Sequence, residues 1–163
     1  MGSLGVHFAV PADVVARLVS ADDDDEVRLI IEDIEEEMTD VDHCDTDKAW
    51  DAIHRCLTDG YLRLDNGDYP LNAAVLGGRH LHSGEDYIVS LLTPDQVRDV
   101  ARALAEVPRE PLRAMYLAID PDDYGPEFGD KDFDYTWENF ADLVAFFRRS
   151  ALAGSHVIFT VDQ

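Results

Sequence analysis

Apolar residues recur along this chain at two spacings, and each spacing predicts a different kind of secondary structure. Apolar side chains alternate with polar or small ones in residues 4–10 and again in residues 156–161, which predicts a strand at each position. Residues 86–92 are apolar and β-rich enough for a central strand. Because a strand at a chain end must be tied into a sheet to be ordered, we expect the last strand beside the first or beside residues 86–92.

Spacings of three and four positions between apolar residues predict about six helices. The clearest apolar face spans residues 27–38, behind an acidic run at residues 22–26 that favours a helix N-terminus. The opposite face of this helix is acidic and predicts a solvated surface, with a docking face for a basic partner as the alternative. A longer apolar stripe at residues 137–151 predicts a helix that crosses the sheet. Further helices are predicted at residues 11–19, 47–60, 93–104 and 108–117.

Capping residues predict where several of these helices begin. Residues 93–96, TPDQ, form a capping box with proline at the first helical position. Asp45 or Thr46 is placed to cap the helix at residues 47–60, and Asp134 or Thr136 to cap the last long helix.

The segments between these helices predict shorter elements. Residues 61–64 form a short β-like run, and residues 70–76 predict a short helix or a tight coil. Residues 120–134 mix glycine, proline, acidic and aromatic residues, a composition that predicts a loop.

The elements together predict an α/β fold of the mixed α+β kind. We expect one domain over residues 1–163, with a small sheet of about three to four strands packed with about six helices. The length fits one domain, and the 46% apolar content is typical of globular proteins.

The charge balance excludes two classes of partner and leaves a third. The chain carries 35 acidic and 13 basic residues, for a formal net charge of -22. Nucleic acids and anionic membranes are excluded, because binding either requires a basic surface. A basic protein partner fits the charge, since complementary fields speed encounter, and so does a surface whose acids keep the protein soluble.

The N-terminal sequence and the cysteine content predict a cytoplasmic protein. MGSLGVHFAV lacks the basic and long apolar regions of a signal peptide, and no apolar run approaches the ~20 residues of a membrane span. The two cysteines, Cys44 and Cys56, are expected to be free thiols, with Cys56 in the core.

One predicted helix, DKAWDAIHRCLTDG, concentrates versatile side chains: Asp47, Lys48, Trp50, Asp51 and His54. A carboxylate beside a histidine can orient and charge it for general acid–base catalysis. In the alternative interpretation, Trp50 packs in the core while His54 hydrogen-bonds a loop. Asp51 also precedes Arg55 by four residues, the favourable order for a helical ion pair.

A second unusual stretch, YPLNAAVLGGR, ends at Gly77, Gly78 and Arg79. A glycine pair lets its backbone approach another chain or a ligand closely, although the spacing is not that of a phosphate loop. We therefore predict that Trp50 and His54 border this turn. The predicted pocket consists of Asp47, Trp50, Asp51, His54, Gly77, Gly78 and Arg79.

The sequence predicts no metal site, no cofactor and no catalytic residue. Residues 43–45, HCD, are adjacent in a loop and lack the spacing of zinc ligands. His80 and His82 are expected on one face of a strand, but two ligands do not make a site. The acids at residues 120–123 resemble only a fragment of a calcium loop.

Five segments occur in an order and at a spacing that resemble one known family. They are MGSLGVHFAVPADV, DKAWDAIHRCLTDG, PLNAAVLGG, LTPDQVRDVARAL and FRRSALAGSHVIFTV. Together they are similar to the YfbM-like family of bacterial domains of unknown function, over nearly the whole chain. Similar members open MGM where this chain has MGS, and residues 22–26 and 120–134 are more polar here. The resemblance implies a single mixed α/β domain with no established activity.

Two hypotheses of function follow. The first is a non-enzymatic binding protein that acts through its acidic surface, for example an inhibitor or immunity-type protein that neutralises a basic target. The alternative is an enzyme or small-ligand binder that uses the predicted pocket. The first predicts a contiguous acidic face, and the second predicts that the pocket residues converge in one cleft.

Overall fold

A five-stranded antiparallel sheet forms the centre of the molecule in a computed structural model that describes residues 3–37 and 40–162. The strands are β1 (Gly5–Val10), β2 (His43–Asp45), β3 (Arg79–His80), β4 (Tyr87–Leu92) and β5 (His156–Asp162). They lie side by side in the order β2-β1-β5-β4-β3. The last strand therefore pairs with both of the neighbours that the sequence proposed for it.

The described residues contain seven α-helices, one more than the sequence predicted. They are α1 (Ala12–Val19), α2 (Asp24–Glu36), α3 (Trp50–Leu57), α4 (Pro94–Ala105), α5 (Arg109–Leu117), α6 (Pro121–Tyr124) and α7 (Asp130–Ala153). The additional helix is α6, within the segment predicted as a loop. Residue 38, the predicted end of one apolar face, lies outside the described residues. In the part of the chain that is described, no helix has the length and apolar character needed to cross a membrane.

Helices cover both faces of the sheet and create two apolar cores. The larger core includes side chains of α3, α4, α5 and α7, and the smaller core includes those of α1 and α2. Successive side chains of β5 point to opposite faces of the sheet. Val157 and Phe159 belong to the larger core, and Ile158 belongs to the smaller. The mixed α/β fold is thus confirmed, although the sheet has five strands instead of three to four. The two extra strands, β2 and β3, have three and two residues and are too short for an alternating pattern.

The start of α3 differs from the prediction for a local conformational reason. Asp47 has φ +50, a left-handed conformation that cannot continue into the helix, and α3 begins only at Trp50. Thr46 does not cap the helix, because its hydroxyl donates to the Gly5 carbonyl oxygen at 2.9 Å. Asp45 instead accepts from the backbone N–H of Asp47 at 2.7 Å. The predicted cap at Asp45 or Thr46 is therefore wrong, and residues 45–47 form a turn anchored to β1.

Two other helix starts test the capping argument. Thr93 and Gln96 make both bonds of a capping box, which confirms the predicted start of α4. The predicted cap of the last helix at Asp134 or Thr136 is wrong, because α7 starts at Asp130 after Gly129. Thr136 is instead fully buried inside that helix.

Three shorter predictions also change. Residues 61–64 form no strand, because they have no strand beside them to pair with among the described residues. Within residues 70–76, Leu71–Ala73 is a short 3-10 helix, as one of the two alternatives proposed. His80 and His82 do not share a strand face, because β3 ends at His80.

Candidate functional site

An open acidic cleft lies where the turn before α3 meets the first part of α7. The cleft has a volume of about 540 Å³. Its walls combine carboxylates with aromatic hydroxyls. The lining residues are Asp47, Lys48, Asp51, Tyr124, Glu127, Asp132 and Tyr135. We call this set the acidic cleft.

Tyr135 joins the two sides of the acidic cleft. Its hydroxyl donates to the Asp47 carboxylate at 2.5 Å and accepts from the backbone N–H of Lys48 at 3.1 Å. Burial, followed by the hydrogen bond to Asp47, raises the pKa of Tyr135 to about 12. The hydroxyl therefore stays protonated at neutral pH and remains a donor to Asp47.

Asp132 is held in a similar way by two tyrosines. One oxygen of its carboxylate accepts from the hydroxyls of Tyr116 at 2.8 Å and Tyr124 at 2.7 Å. Burial raises the pKa of both phenols. The Tyr116 ring stacks on Phe128, with the ring centroids 4.9 Å apart, which fixes the segment between α6 and α7 against α5. Asp132 is thus positioned by neutral donors.

Arg55 contacts Asp51 and Tyr124, two of the residues that line the acidic cleft. Its guanidinium donates to Asp51 and to Asp123, each at 2.6 Å, and lies 5.4 Å from the centroid of the Tyr124 ring. The helical ion pair predicted between Asp51 and Arg55 is therefore confirmed. Burial raises the pKa of Asp51, and the hydrogen bond from Arg55 opposes that rise. Since Arg55 is 6% exposed, its charge is committed to these two carboxylates.

The versatile residues of the predicted helix lie in two environments: the acidic cleft and the protein interior. Asp47 and Asp51 both line the acidic cleft. Trp50 is buried in the larger core, and its indole N–H donates to the Ser3 carbonyl oxygen at 2.8 Å. His54 is also buried, and its Nε2 bonds the Arg63 carbonyl oxygen at 2.7 Å. Trp50 and His54 thus follow the alternative interpretation, in which one packs in the core and the other holds a loop.

The glycine turn serves the packing of the sheet edge. A Cβ on Gly78 would lie 2.5 Å from the Ser90 hydroxyl oxygen, and one on Gly77 would lie 2.3 Å from the Asn72 carbonyl oxygen. The close approach predicted for this pair is therefore made to other parts of the same chain. Arg79 is exposed and lines a separate depression, beside the acidic run at residues 22–25.

The seven predicted pocket residues are accordingly divided among different places. Asp47 and Asp51 share the acidic cleft, whereas Arg79 lines the depression beside α2. Trp50 lines another pocket with Leu76 and His80, the residues that flank the glycine turn. The structure therefore brings Trp50 to the edge of that turn but does not place it with Asp47 and Asp51.

Two of the acidic residues considered as calcium ligands, Asp120 and Asp123, have partners within the fold. Asp120 accepts from the backbone N–H of Asp122 at 3.0 Å at the start of α6. Within residues 3–37 and 40–162, no three His, Cys, Asp or Glu side chains are grouped as metal ligands. Cys44 and Cys56 are both buried free thiols, and burial raises the pKa of each to about 12.

Four residues of the acidic cleft were not singled out from the sequence: Tyr124, Glu127, Asp132 and Tyr135. The available signal was the spacing of three between Asp132 and Tyr135, which places both on one side of a helix. That signal was hidden because the last helix was expected to start at residue 134 or 136.

Comparisons with known proteins agree with the fold. The sequence model of a family described as a domain of unknown function, DUF1877, matches residues 1–160. A crystal structure of a protein of unknown function, YfbM from Escherichia coli, is similar with a TM-score of 0.71 and 21% identity. The similarity covers 97% of this chain and 99% of that chain, and at this identity it shows the fold alone. No curated protein matches the sequence. The YfbM-like resemblance is confirmed, and the chain belongs to the DUF1877 family of domains of unknown function.

Proposed function

We propose that this protein is a cytoplasmic interaction protein, of the inhibitor or immunity type, that binds a basic protein partner. In this proposal the acidic cleft receives an arginine or lysine side chain of the partner. The observation that carries it is the way in which Asp47 and Asp132 are held. Both carboxylates are positioned by tyrosine hydroxyls, which are neutral, so their negative charges remain available to an incoming cation.

The distribution of the few cations supports this proposal. Eight of the arginines in the described residues already pair with carboxylates of the same chain: Arg17, Arg28, Arg55, Arg98, Arg102, Arg109, Arg113 and Arg149. Lys48 is the single cation among the residues that line the acidic cleft. Most of the 35 acidic residues thus contribute to a negative field that attracts and steers a basic partner.

The aromatic walls add a second reason to favour a cationic side chain. Tyr124 and Tyr135 present rings as well as hydroxyls, and a guanidinium or ammonium over a tyrosine ring is stabilised by the ring quadrupole. The Arg55 guanidinium already makes a contact of this kind with the Tyr124 ring. An arginine from a partner would combine such a contact with charge-assisted hydrogen bonds to Asp47 or Asp132.

The proposal is tested with a partner captured from native cytosol and then purified. Its affinity is measured for the wild-type protein, for a cleft variant with Asp47→Asn and Asp132→Asn, and for a control variant with Glu36→Gln and Glu106→Gln. Both variants lose two charges, and the control positions are exposed and outside the acidic cleft. We expect a basic partner that binds the cleft variant at least about tenfold more weakly than the control, with an affinity that falls as salt is added. A neutral or acidic partner, or equal binding by the two variants, would contradict the proposal.

A further inference from the structure

A separate pocket of about 330 Å³ lies beside the edge of β4. β3 pairs with Leu91 and Ser90 of β4, and one further bond runs from the Leu81 N–H to the Val89 carbonyl oxygen. Ile88 and Tyr87, which come before Val89 in the chain, line the pocket. The pocket is thus located where the pairing with β3 stops.

Apolar side chains form much of this pocket. Trp50 contributes from α3, Leu62 and Leu64 from the loop after that helix, and Leu76 from the segment before the glycine turn. The volume is at the lower end of the range for small-molecule sites, roughly 300–1,000 Å³. A mostly apolar pocket with a few placed polar groups is the usual form of such a site.

His82 is the polar group that distinguishes this pocket. Its side chain is 3% exposed, and its Nδ1 lies 3.2 Å from the Gly84 carbonyl oxygen. A carbonyl oxygen only accepts, so Nδ1 carries the proton in the neutral ring and Nε2 is left as a hydrogen-bond acceptor. Nε2 is buried and has no hydrogen-bond partner among the described residues. A buried acceptor without a partner is unfavourable, and a donor from a ligand in the pocket would satisfy it.

The loop that carries His82 is tied in place. The Asp24 carboxylate accepts from the N–H and the hydroxyl of Ser83, at 3.0 and 2.8 Å, and from the N–H of Gly84 at 3.0 Å. The Tyr87 ring meets the His82 ring edge to face, with centroids 5.3 Å apart. The imidazole is therefore held against the pocket before any ligand arrives.

From this geometry we infer that the pocket binds a small aromatic molecule with one hydroxyl or N–H group, of the phenol or indole class. The ring occupies the space between Trp50 and the leucines, and its donor pairs with Nε2 of His82. This site is separate from the acidic cleft and does not depend on a basic partner. It also gives a specific form to the alternative hypothesis of a small-ligand binder.

Two probes of similar shape test the inference: p-cresol, which has a hydroxyl, and toluene, which lacks one. The full chain is labelled with ¹⁵N, and each probe is titrated while the amide resonances are recorded. We expect p-cresol to bind saturably, to shift the resonances of Leu64, Gly84 and Ile88, and to bind about tenfold more tightly than toluene. Absence of saturable binding by p-cresol, equal affinities for the two probes, or shifts confined to other regions would overturn the inference.

Two variants and a control test the space in the pocket and the His82 acceptor independently. His82→Phe should remove the preference for p-cresol over toluene, since Nε2 is lost. Leu64→Trp should abolish binding of both probes by filling the pocket, and Leu64 is 45% exposed, so the larger side chain can be accommodated in the folded protein. Leu152→Trp serves as the control at a remote position that is 82% exposed, and it should bind like the wild type. A Leu64→Trp protein that binds p-cresol as the wild type does would also overturn the inference.

Discussion

Arg55 in α3 donates a hydrogen bond of 2.6 Å to Asp123 in α6, although 68 residues separate them in sequence. The same guanidinium bonds Asp51 on its own helix. This pair of contacts joins α6 to α3 and so holds one wall of the acidic cleft. The buried cation is also what balances Asp51, whose carboxylate is 29% exposed.

Replacing Arg55 with methionine should destabilise the protein by roughly 2–4 kcal/mol, because the change leaves Asp51 partly buried without its cation. Arg113→Met is the matched control, since Arg113 pairs with Asp130 at the surface, where side-chain exposures are 38% and 86%. The control should cost only about 0–1 kcal/mol. Urea denaturation of both variants measures the difference, and equal stabilities would show that the Arg55 contacts do not hold the cleft wall.

A methyl group added at Gly78 should also destabilise the fold, by roughly 1–3 kcal/mol. The added Cβ would lie 2.5 Å from the Ser90 hydroxyl oxygen and 2.7 Å from the Leu91 carbonyl oxygen, so the turn or β4 must move. Thermal unfolding of Gly78→Ala measures this cost. A melting temperature equal to that of the wild type would show that the turn can relax without loss of packing.

How far the sequence predicts the fold depends on the length of each element. Long patterns such as the apolar stripe of α7 and the alternation in β5 were sufficient to predict those elements and their place in the fold. β2 was missed, and β3 was indicated only by the expectation that His80 and His82 lie on a strand, because so short a strand is defined by its partner and has no pattern of its own. The start of α7 was misplaced because its first turn follows Gly129, with no side-chain cap to mark it.

The acidic cleft shows why a site is harder to predict than a fold. Asp47 and Tyr135 are 88 residues apart in sequence, and only the packing of α7 beside the turn before α3 brings them together. Asp47 and Asp51 were found because they share one stretch with Trp50 and His54. Tyr135, the aromatic partner of Asp47, was not found, since no local spacing relates it to that stretch.

Acid should destabilise the fold between pH 7 and pH 5 through His7. This side chain is buried among Phe146, Phe147 and Phe159, and burial lowers its pKa from 6.5 to about 4, although the bond to the Ala74 carbonyl oxygen opposes that change. Below pH 6.5 the unfolded chain therefore binds a proton that the folded chain does not. The free energy of unfolding keeps its full value above pH 6.5 and is about 2 kcal/mol lower at pH 5.

His7→Gln provides the comparison for this pH dependence, because glutamine keeps an N–H donor but does not titrate. The variant should lose less stability than the wild type between pH 7 and pH 5, when both are followed by urea denaturation. Burial also lowers the pKa of His54, so a smaller dependence of the same sign should remain. Identical slopes for the two proteins would show that His7 is not the group responsible.

Salt should raise the melting temperature, since the carboxylates repel one another in the folded state. The thirteen cations cannot pair with most of the 35 acidic residues, and each exposed ion pair contributes only about 0–1 kcal/mol. Sodium chloride shortens the screening length from ~10 Å at 0.1 M to ~3 Å at 1 M, which weakens the repulsion. A melting temperature that stays constant or falls over this range would show that the acids are individually compensated, and the proposed function would lose its electrostatic support.

The most direct measurement for the proposed function is a titration of the ¹⁵N-labelled protein with a short peptide that contains one arginine. The same peptide with citrulline in place of arginine is the control, because citrulline keeps the shape of the side chain without its charge. If the acidic cleft receives a cationic side chain, the arginine peptide should shift the amide resonances of Lys48, Asp132 and Tyr135. Replacing arginine with citrulline should weaken binding of the peptide by about tenfold. The Asp47→Asn and Asp132→Asn variant should bind the arginine peptide about tenfold more weakly than the wild-type protein does. Equal binding of the two peptides, or shifts from the arginine peptide that avoid the cleft, would contradict the account.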